Sequence, residues 1–271
     1  MSKLVALPAR TVLAVTGADR VGFLNGLVSN DVALAAPGHA IWSALLTAQG
    51  KYVADFFIFA EPDHLLLDCE TGHAAMLMQR LLRYKLRADI AMNTTALIVH
   101  AAWDGQPDTT NTIAAPDPRL PEAGWRLLAD HPLPATATPE DWDLHRLSLG
   151  LPDGARDMEA EKTVLLEAGF DELHGISWTK GCYMGQELTA RTRYRGLIKR
   201  RLLPVRADHA LPPPGTPLRA NDREVGQMRS SRGTLGLATI RLDALGVTDI
   251  HADGILLRPT VPAWAKLPEP A

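Results

Sequence analysis

The sequence predicts an α+β fold that ends in a small β-barrel, and three observations carry that expectation. Short β-rich runs joined by tight turns dominate the first half, and the helices between them are brief and amphipathic. A Pro-rich segment, Pro212-Pro213-Pro214-Gly215 with Pro217, then precedes a tail of short strands. A chain of 271 residues, 46% of them hydrophobic, can bury a substantial core in one large domain or a few small ones. The expected division is 1–207, a module of two intertwined α+β subdomains, and 208–271, the barrel.

Taken in order, Thr11 to Val15 reads as a strand, followed by a helix over Asp19 to Ser29 in which Val21, Leu24, Leu27 and Val28 recur at helical spacing. Ile41 to Thr47, Tyr52 to Ala60 and His64 to Cys69 are β-rich runs. Gln49-Gly50 and Glu61-Pro62-Asp63 separate them, which predicts an antiparallel meander. Thr71 can cap a helix running to about Leu86 with Leu77, Leu81 and Leu82 inward. Strands follow at Thr95 to His100 and Trp125 to Leu128, with Gly105 to Pro121 read as an exposed, functionally quiet connection. Thr138-Pro139-Glu140-Asp141 combines an N-cap, a proline at the first helical position and early acidic charge, and Gly150 and Pro152 mark the stop of that helix. Lys199 to Arg206 is a strand, and Glu224 to Met228, Thr234 to Arg241 and Ile255 to Leu257 are the runs of the barrel.

A net charge of -3 gives no global attraction to nucleic acid or an anionic membrane. The first thirteen residues lack the apolar core of a secretory signal and the Arg-rich character of a transit peptide, and no stretch reaches the roughly 18 apolar residues of a membrane span. A cytoplasmic location, no membrane partner and no expected nucleic-acid partner follow as expectations. Cys69 and Cys182 are too few for a disulfide framework or for all the ligands of a cluster, and no His pair has metal-binding spacing, so no resident metal is expected. No heptad or apolar stripe calls for oligomerisation, which predicts a monomer.

The segment Lys180-Gly181-Cys182-Tyr183-Met184-Gly185-Gln186-Glu187 concentrates the chemistry. Gly181 and Gly185 let the backbone turn tightly around Cys182. A helix beginning near Gly185 would set the thiol near its positive end, and Lys180, Arg191 and Arg193 add charge that favours the nucleophilic thiolate. The competing reading makes Cys182 a small packing residue in a turn. From Lys180 to Arg201 there are seven cations (Lys180, Arg191, Arg193, Arg195, Lys199, Arg200, Arg201) against Glu187 alone, a surplus of +6. The surplus suits a polyglutamyl tail, a phosphate or RNA, and equally a solvated surface. Tyr183, Tyr194 and Trp178 are planar surfaces for stacking, Trp178 fitting a core or boundary role better. His174 is a surface or loop residue that can also be imagined as the base for Cys182. Cys69, at the end of an apolar run, reads as a core thiol.

Lys180-Gly181-Cys182-Tyr183-x-Gly-Gln-Glu resembles the signature of the YgfZ family of folate-binding proteins. The likeness extends through Gly175-Ile176-Ser177-Trp178-Thr179 and on to Arg191, Gly196 and Lys199-Arg200-Arg201. Phe23 to Leu27, Ser29-Asn30-Asp31-Val32, the Gln49-Gly50-Lys51 turn with Asp55, and Val225-Gly226 with Ser230-Ser231 and Ala238 are similar to the wider T-protein superfamily. The resemblance implies a T-protein-like arrangement of three small domains around a central folate channel. It implies a tetrahydrofolate or one-carbon derivative as cofactor, iron-sulfur enzymes or assembly proteins as clients, and assembly or repair of clusters, especially [4Fe-4S], as the role.

On that resemblance Cys182 and Lys180 are the catalytic candidates, and Asn30, Asp55, Tyr183, Gln186, Glu187 and Arg191 the folate-binding ones; Gln186 and Glu187 serve equally to fix the loop. T-proteins are similar in carrying a Gly-Tyr-Thr-Gly-Glu type segment and an Asp-Asp pair. The first is missing here and the second is reduced to Ala54-Asp55, so true aminomethyltransferase activity is not expected. Asp55 is either a folate acceptor or a polar residue on a solvent-facing strand. A folate-dependent transferase and an RNA-binding module built on residues 180–201 are the rival functions.

Overall fold

A computed structural model describes residues 2–267; Met1 and the last four residues of the expected barrel domain, 268–271, lie outside the described residues. The strands are β1 (Lys3–Ala6), β2 (Arg10–Thr16), β3 (Ile41–Leu46), β4 (Tyr52–Ala60), β5 (His64–Glu70), β6 (Ala91–Thr94), β7 (Ile98–Trp103), β8 (Ile113–Pro116), β9 (Trp125–Ala129), β10 (Arg200–Arg206), β11 (Pro217–Ala220), β12 (Arg223–Arg232), β13 (Leu235–Arg241), β14 (Ile250–Ala252) and β15 (Ile255–Pro259). The α-helices are α1 (Arg20–Asn25), α2 (Thr71–Leu82), α3 (Pro139–Leu149) and α4 (Gln186–Tyr194).

The predicted meander forms the heart of a five-stranded antiparallel sheet ordered β3-β4-β5-β2-β6. Every residue of β3 and all but the last of β4 are buried, because both faces of this sheet are covered. On one side Leu24 and Leu27, together with Leu77 and Leu81 of α2, pack over Phe56 and Ile58. On the other, Trp42, Phe57 and Phe59 meet Val99 and Trp103 of a second sheet, ordered β1-β7-β9-β8, together with Trp142 and Leu147 of α3.

A closed barrel, β10-β13-β12-β11-β14-β15, has its own core of Leu203, Val205, Met228, Ala238 and Ile240. The α+β fold with a small C-terminal barrel is therefore present. The barrel's first strand is β10, so the Pro-rich segment and the expected 207/208 division fall inside the closed structure.

Other differences have local causes. Helix α1 stops at Asn25, and Val28 instead bridges to Leu45, so the apolar spacing of Leu24, Leu27 and Val28 serves burial without a continuous helix; Val21 is exposed. Helix α2 ends at Leu82, which is exposed. The segment read as a quiet connection contains β8, an edge strand on β9, and continues into the buried pair Asp117 and Arg119, joined at 2.8 Å. Helix α3 has the expected N-cap and proline, Thr138 joined to Asp141 in a capping box, and a left-handed Gly150 at its end.

Candidate functional site

The signature loop is held by backbone hydrogen bonds, by Lys180 and by the buried ring of Tyr183. Ser29 Oγ donates to the carbonyl of Gly175 at 2.7 Å, and the Ser177 and Met184 amides donate to the carbonyls of Ser29 and Gly26. Lys180 closes the zipper: its Nζ donates to the carbonyls of Val28 and Asn30, both at 2.8 Å, and lies 5.1 Å from the centre of the Tyr183 ring. Burial pushes the Lys180 amine down to about 8, with Asp31 opposing. Gly185 packs against the Gln49-Gly50 turn so closely that a Cβ on Gly185 would lie 2.5 Å from the Thr47 carbonyl oxygen. The loop is thus rigid at both ends.

Cys182 stands exposed between those anchors, so core packing does not account for it. The turn through Tyr183, Met184 and Gly185 separates it from the start of α4. Gly181 is unlike Gly185: its φ is ordinary and a Cβ there would meet nothing within 4 Å. The space beside the thiol is open. Cys69, by contrast, is 1% exposed and its thiol is pushed up to about 12 by burial.

Several expected ligand contacts are already committed to the fold. Tyr183 is buried in the core beneath Lys180, its hydroxyl raised to about 12 by burial against the pull of Thr189, so it offers no stacking face. Asn30 Nδ2 donates to the carbonyls of Trp42 and His174, and Oδ1 accepts from the Asp31 amide. Asp55 is 4% exposed and accepts from Trp42 Nε1 and Tyr52 Oη, each at 2.9 Å, which excludes a solvent-facing strand position. Burial raises its pKa, while Arg10, Trp42 and Tyr52 pull it back. Gln186 opens α4; Glu187 and Arg191 are exposed one turn apart and make no ion pair among the described residues. Trp178 is the boundary residue expected of it, donating to Asp171 at 2.6 Å with the Arg193 guanidinium stacked 4.1 Å above its ring.

Asn30, Asp55 and the loop do not line one channel. A hollow of about 520 Å³ lies between Asn30, His39, His174 and residues 176–179. A second, of about 550 Å³, opens between the first sheet, α3 and the barrel, lined by Arg10, Glu70 and His73 from the first sheet and α2, Trp142 and Asp143 from α3, and Arg232 from the barrel. Asp55 sits behind its wall: Arg10 and Asp153, both lining groups, act on its carboxyl. Burial alone would raise Asp153, but Arg146, Arg10 and Arg156 outweigh it and hold that carboxylate well below the usual range. These lining residues come from segments more than 200 residues apart, Arg10 to Arg232, and no local motif marks them.

A two-sheet body joined to a closed antiparallel barrel, with a braced loop that presents Cys182, defines an aminomethyltransferase-like fold. The glycine cleavage system aminomethyltransferase T from Bartonella henselae superposes with a TM-score of 0.74 over 97% of this chain and 86% of that one, at 14% identity, a likeness of fold alone. Residues 199–267 match the CAF17 C-terminal beta-barrel domain. Human mitochondrial iron-sulfur cluster assembly factor IBA57 is 32% identical over 95% of this chain and 84% of its own. The Mycosarcoma maydis homologue is 29% identical over 97% and 84%. The chain belongs to the IBA57 family of iron-sulfur cluster assembly factors, to which the YgfZ proteins are related.

These relatives overturn the expected cytoplasmic location, since they are mitochondrial proteins. The expectation rested on the composition of the first thirteen residues, and that composition is set by folding: Lys3–Ala6 is a strand paired with β7. No helix among the described residues is long and apolar enough to cross a membrane.

Proposed function

We propose that this protein supports the assembly or repair of iron-sulfur clusters in client enzymes, with Cys182 as the residue that meets the cargo and a tetrahydrofolate bound at the junction of the first sheet, α3 and the barrel. The observation that carries the reading is the contrast within the signature loop. Its backbone and Lys180 are bonded into the body, while its single thiol, which can ligate iron or exchange sulfur, stands free. Membership of the assembly-factor family supports the same cargo.

The junction cavity fits a folate better than the hollow beside Asn30. Its volume of about 550 Å³ lies in the range of small-molecule sites. Leu7, Pro8 and Trp142 offer apolar walls for a fused ring, and the ion-pair cluster of Asp143 with Arg156 and Arg232 at its rim can re-pair with ring N–H groups and a glutamyl carboxylate. Bound there, a tetrahydrofolate would supply a carrier of one-carbon units. Arg10 and Asp153 would set the charge at the cavity floor, and Asp55 would act through them as a positioning residue. Lys180 fixes the loop, with Gln186 and Glu187 at the head of α4 shaping its exit and Arg191 contributing charge.

Calorimetric titration with tetrahydrofolate tests the cofactor: saturable binding by the wild type, weakened by Trp142→Ala and Arg232→Ala and kept by Cys182→Ala, is expected. Absence of saturable heat in the wild type sinks the folate reading. In cells lacking the protein, activity of [4Fe-4S] enzymes should be restored by the wild type and not by Cys182→Ala; equal restoration by both removes Cys182 from the role.

A further inference from the structure

Helix α2 ends in a knuckle whose sequence, Leu82-Arg83-Tyr84-Lys85-Leu86-Arg87, alternates apolar and cationic residues. Its apolar members face out: Leu82 is 36%, Tyr84 47% and Leu86 91% exposed. Leu86 also has a left-handed backbone, φ 44°, that a leucine rarely adopts. Folding therefore bears both the strain and the exposure of this side chain without any contact in return, and such positions accompany function. Arg83, Lys85 and Arg87 make no ion pair among the described residues, whereas Arg80, one turn earlier, is neutralised by Glu161 at 2.6 Å.

The knuckle is continuous with the signature loop. Arg80, Arg83 and Tyr84 line a hollow of about 260 Å³ whose other walls are Gln49, Glu161 and Met184. Met184 is two residues from Cys182, and the Gln49-Gly50 turn is the one that clasps Gly185. Beyond the loop, α4 and its C-cap add Arg191 and Arg195, also without ion pairs among the described residues, and Tyr194 at 78% exposure.

We infer that the knuckle 82–87, the hollow beside it and the exposed side of α4 form one docking surface for an acidic protein partner, seating that partner's cluster site against Cys182. The inference rests on the cargo role proposed above and names how the client is held. Charge complementarity selects an acidic surface, and Leu86 and Tyr84 are the apolar anchors at the centre of a cationic field. A flat anionic bilayer would meet the knuckle but not the recessed hollow. RNA would use stacking rings along the cations and has no partner for Leu86.

The probe is a purified acidic ferredoxin with its [4Fe-4S] site empty, with binding followed by calorimetry at low and moderate salt. Wild type is expected to bind saturably, and Lys85→Glu/Arg87→Glu to bind at least about tenfold more weakly. Leu86→Gly relieves the backbone strain, so it should melt no lower than wild type yet bind about tenfold more weakly. No saturable binding by the wild type, or wild-type affinity in both variants, overturns the inference. So does loss of binding to phosphatidylglycerol vesicles or single-stranded RNA in these variants while ferredoxin binding stays intact. Tetrahydrofolate titration of the same variants should be unchanged, so failure of the docking surface is distinguishable from failure of the cofactor reading.

Discussion

Gly185 of the signature loop and Gly50 of the β3–β4 turn lie backbone to backbone: a Cβ on Gly50 would come within 2.6 Å of the Gly185 carbonyl oxygen, and one on Gly185 within 2.9 Å of the Gly50 Cα. Both have positive φ, 75° and 82°. Two segments 135 positions apart in sequence are thus clasped at a point where neither tolerates a side chain, and Cys182 is presented from one side of the clasp.

Gly185→Ala and Gly50→Ala should each cost about 2–4 kcal/mol, since an unfavourable left-handed conformation adds to a backbone collision. Gly181→Ala, at an ordinary φ in open space, should stay within about 0.5 kcal/mol of wild type. Urea denaturation midpoints for the three variants check this; equal losses at 181 and 185 would contradict the clasp.

The two cysteines should separate cleanly under alkylation. In the native protein iodoacetamide should modify Cys182 and leave Cys69, which is buried and has its thiol raised to about 12; both should react in guanidinium. Peptide mass spectrometry reads the outcome, and native labelling of Cys69 would contradict its place in the core.

Lys180 should lose its proton near pH 8, well below the 10.5 of an ordinary lysine, because burial disfavours its charge. Between those values the unfolded chain holds more proton than the folded one, so this group makes stability rise as pH goes from about 8 to 10.5. Below pH 8 the burial of its charge is fully felt. Lys180→Met should flatten that rise, as followed by thermal melts across the window, and NMR of the labelled Lys180 side chain should report the titration directly.

Asp68 is fully buried on β5 and bonds both Arg10 and, at 2.9 Å, Arg126 of β9, while the Arg126 guanidinium lies 4.0 Å from the centre of the Phe57 ring. Asp68→Asn leaves two buried arginines short of charge and should cost about 3–5 kcal/mol. Asp68→Asn/Arg126→Met should recover part of that loss, measurable as a positive coupling in a double-mutant cycle.

How much of this was legible in the chain depends on the range of the interaction. The β3–β4–β5 meander, the capped helix α3 and the strands of the barrel follow from period-two patterning, an N-cap with its proline, and turn residues, all acting within a few positions. The short strands β1, β8, β11 and β14, of three or four residues each, escaped because so short a run carries too little pattern. The signature segment was visible as a dense local motif, and Cys182 is as accessible as a working thiol needs to be.

Local spacing by itself determined the α+β class, the terminal barrel and the loop that bears Cys182, because hydrophobic periodicity and turn chemistry are written within a few residues of one another. Only the tertiary structure decided what surrounds that loop. Lys180 proved an anchor to residues 28 and 30, Tyr183 a core ring, Asp55 a buried acceptor, and Arg10, Trp142 and Arg232 the walls of one cavity. Those roles depend on which distant strands are brought together and which polar atoms are left over once backbone and core have taken their partners, and no spacing along the chain records that balance.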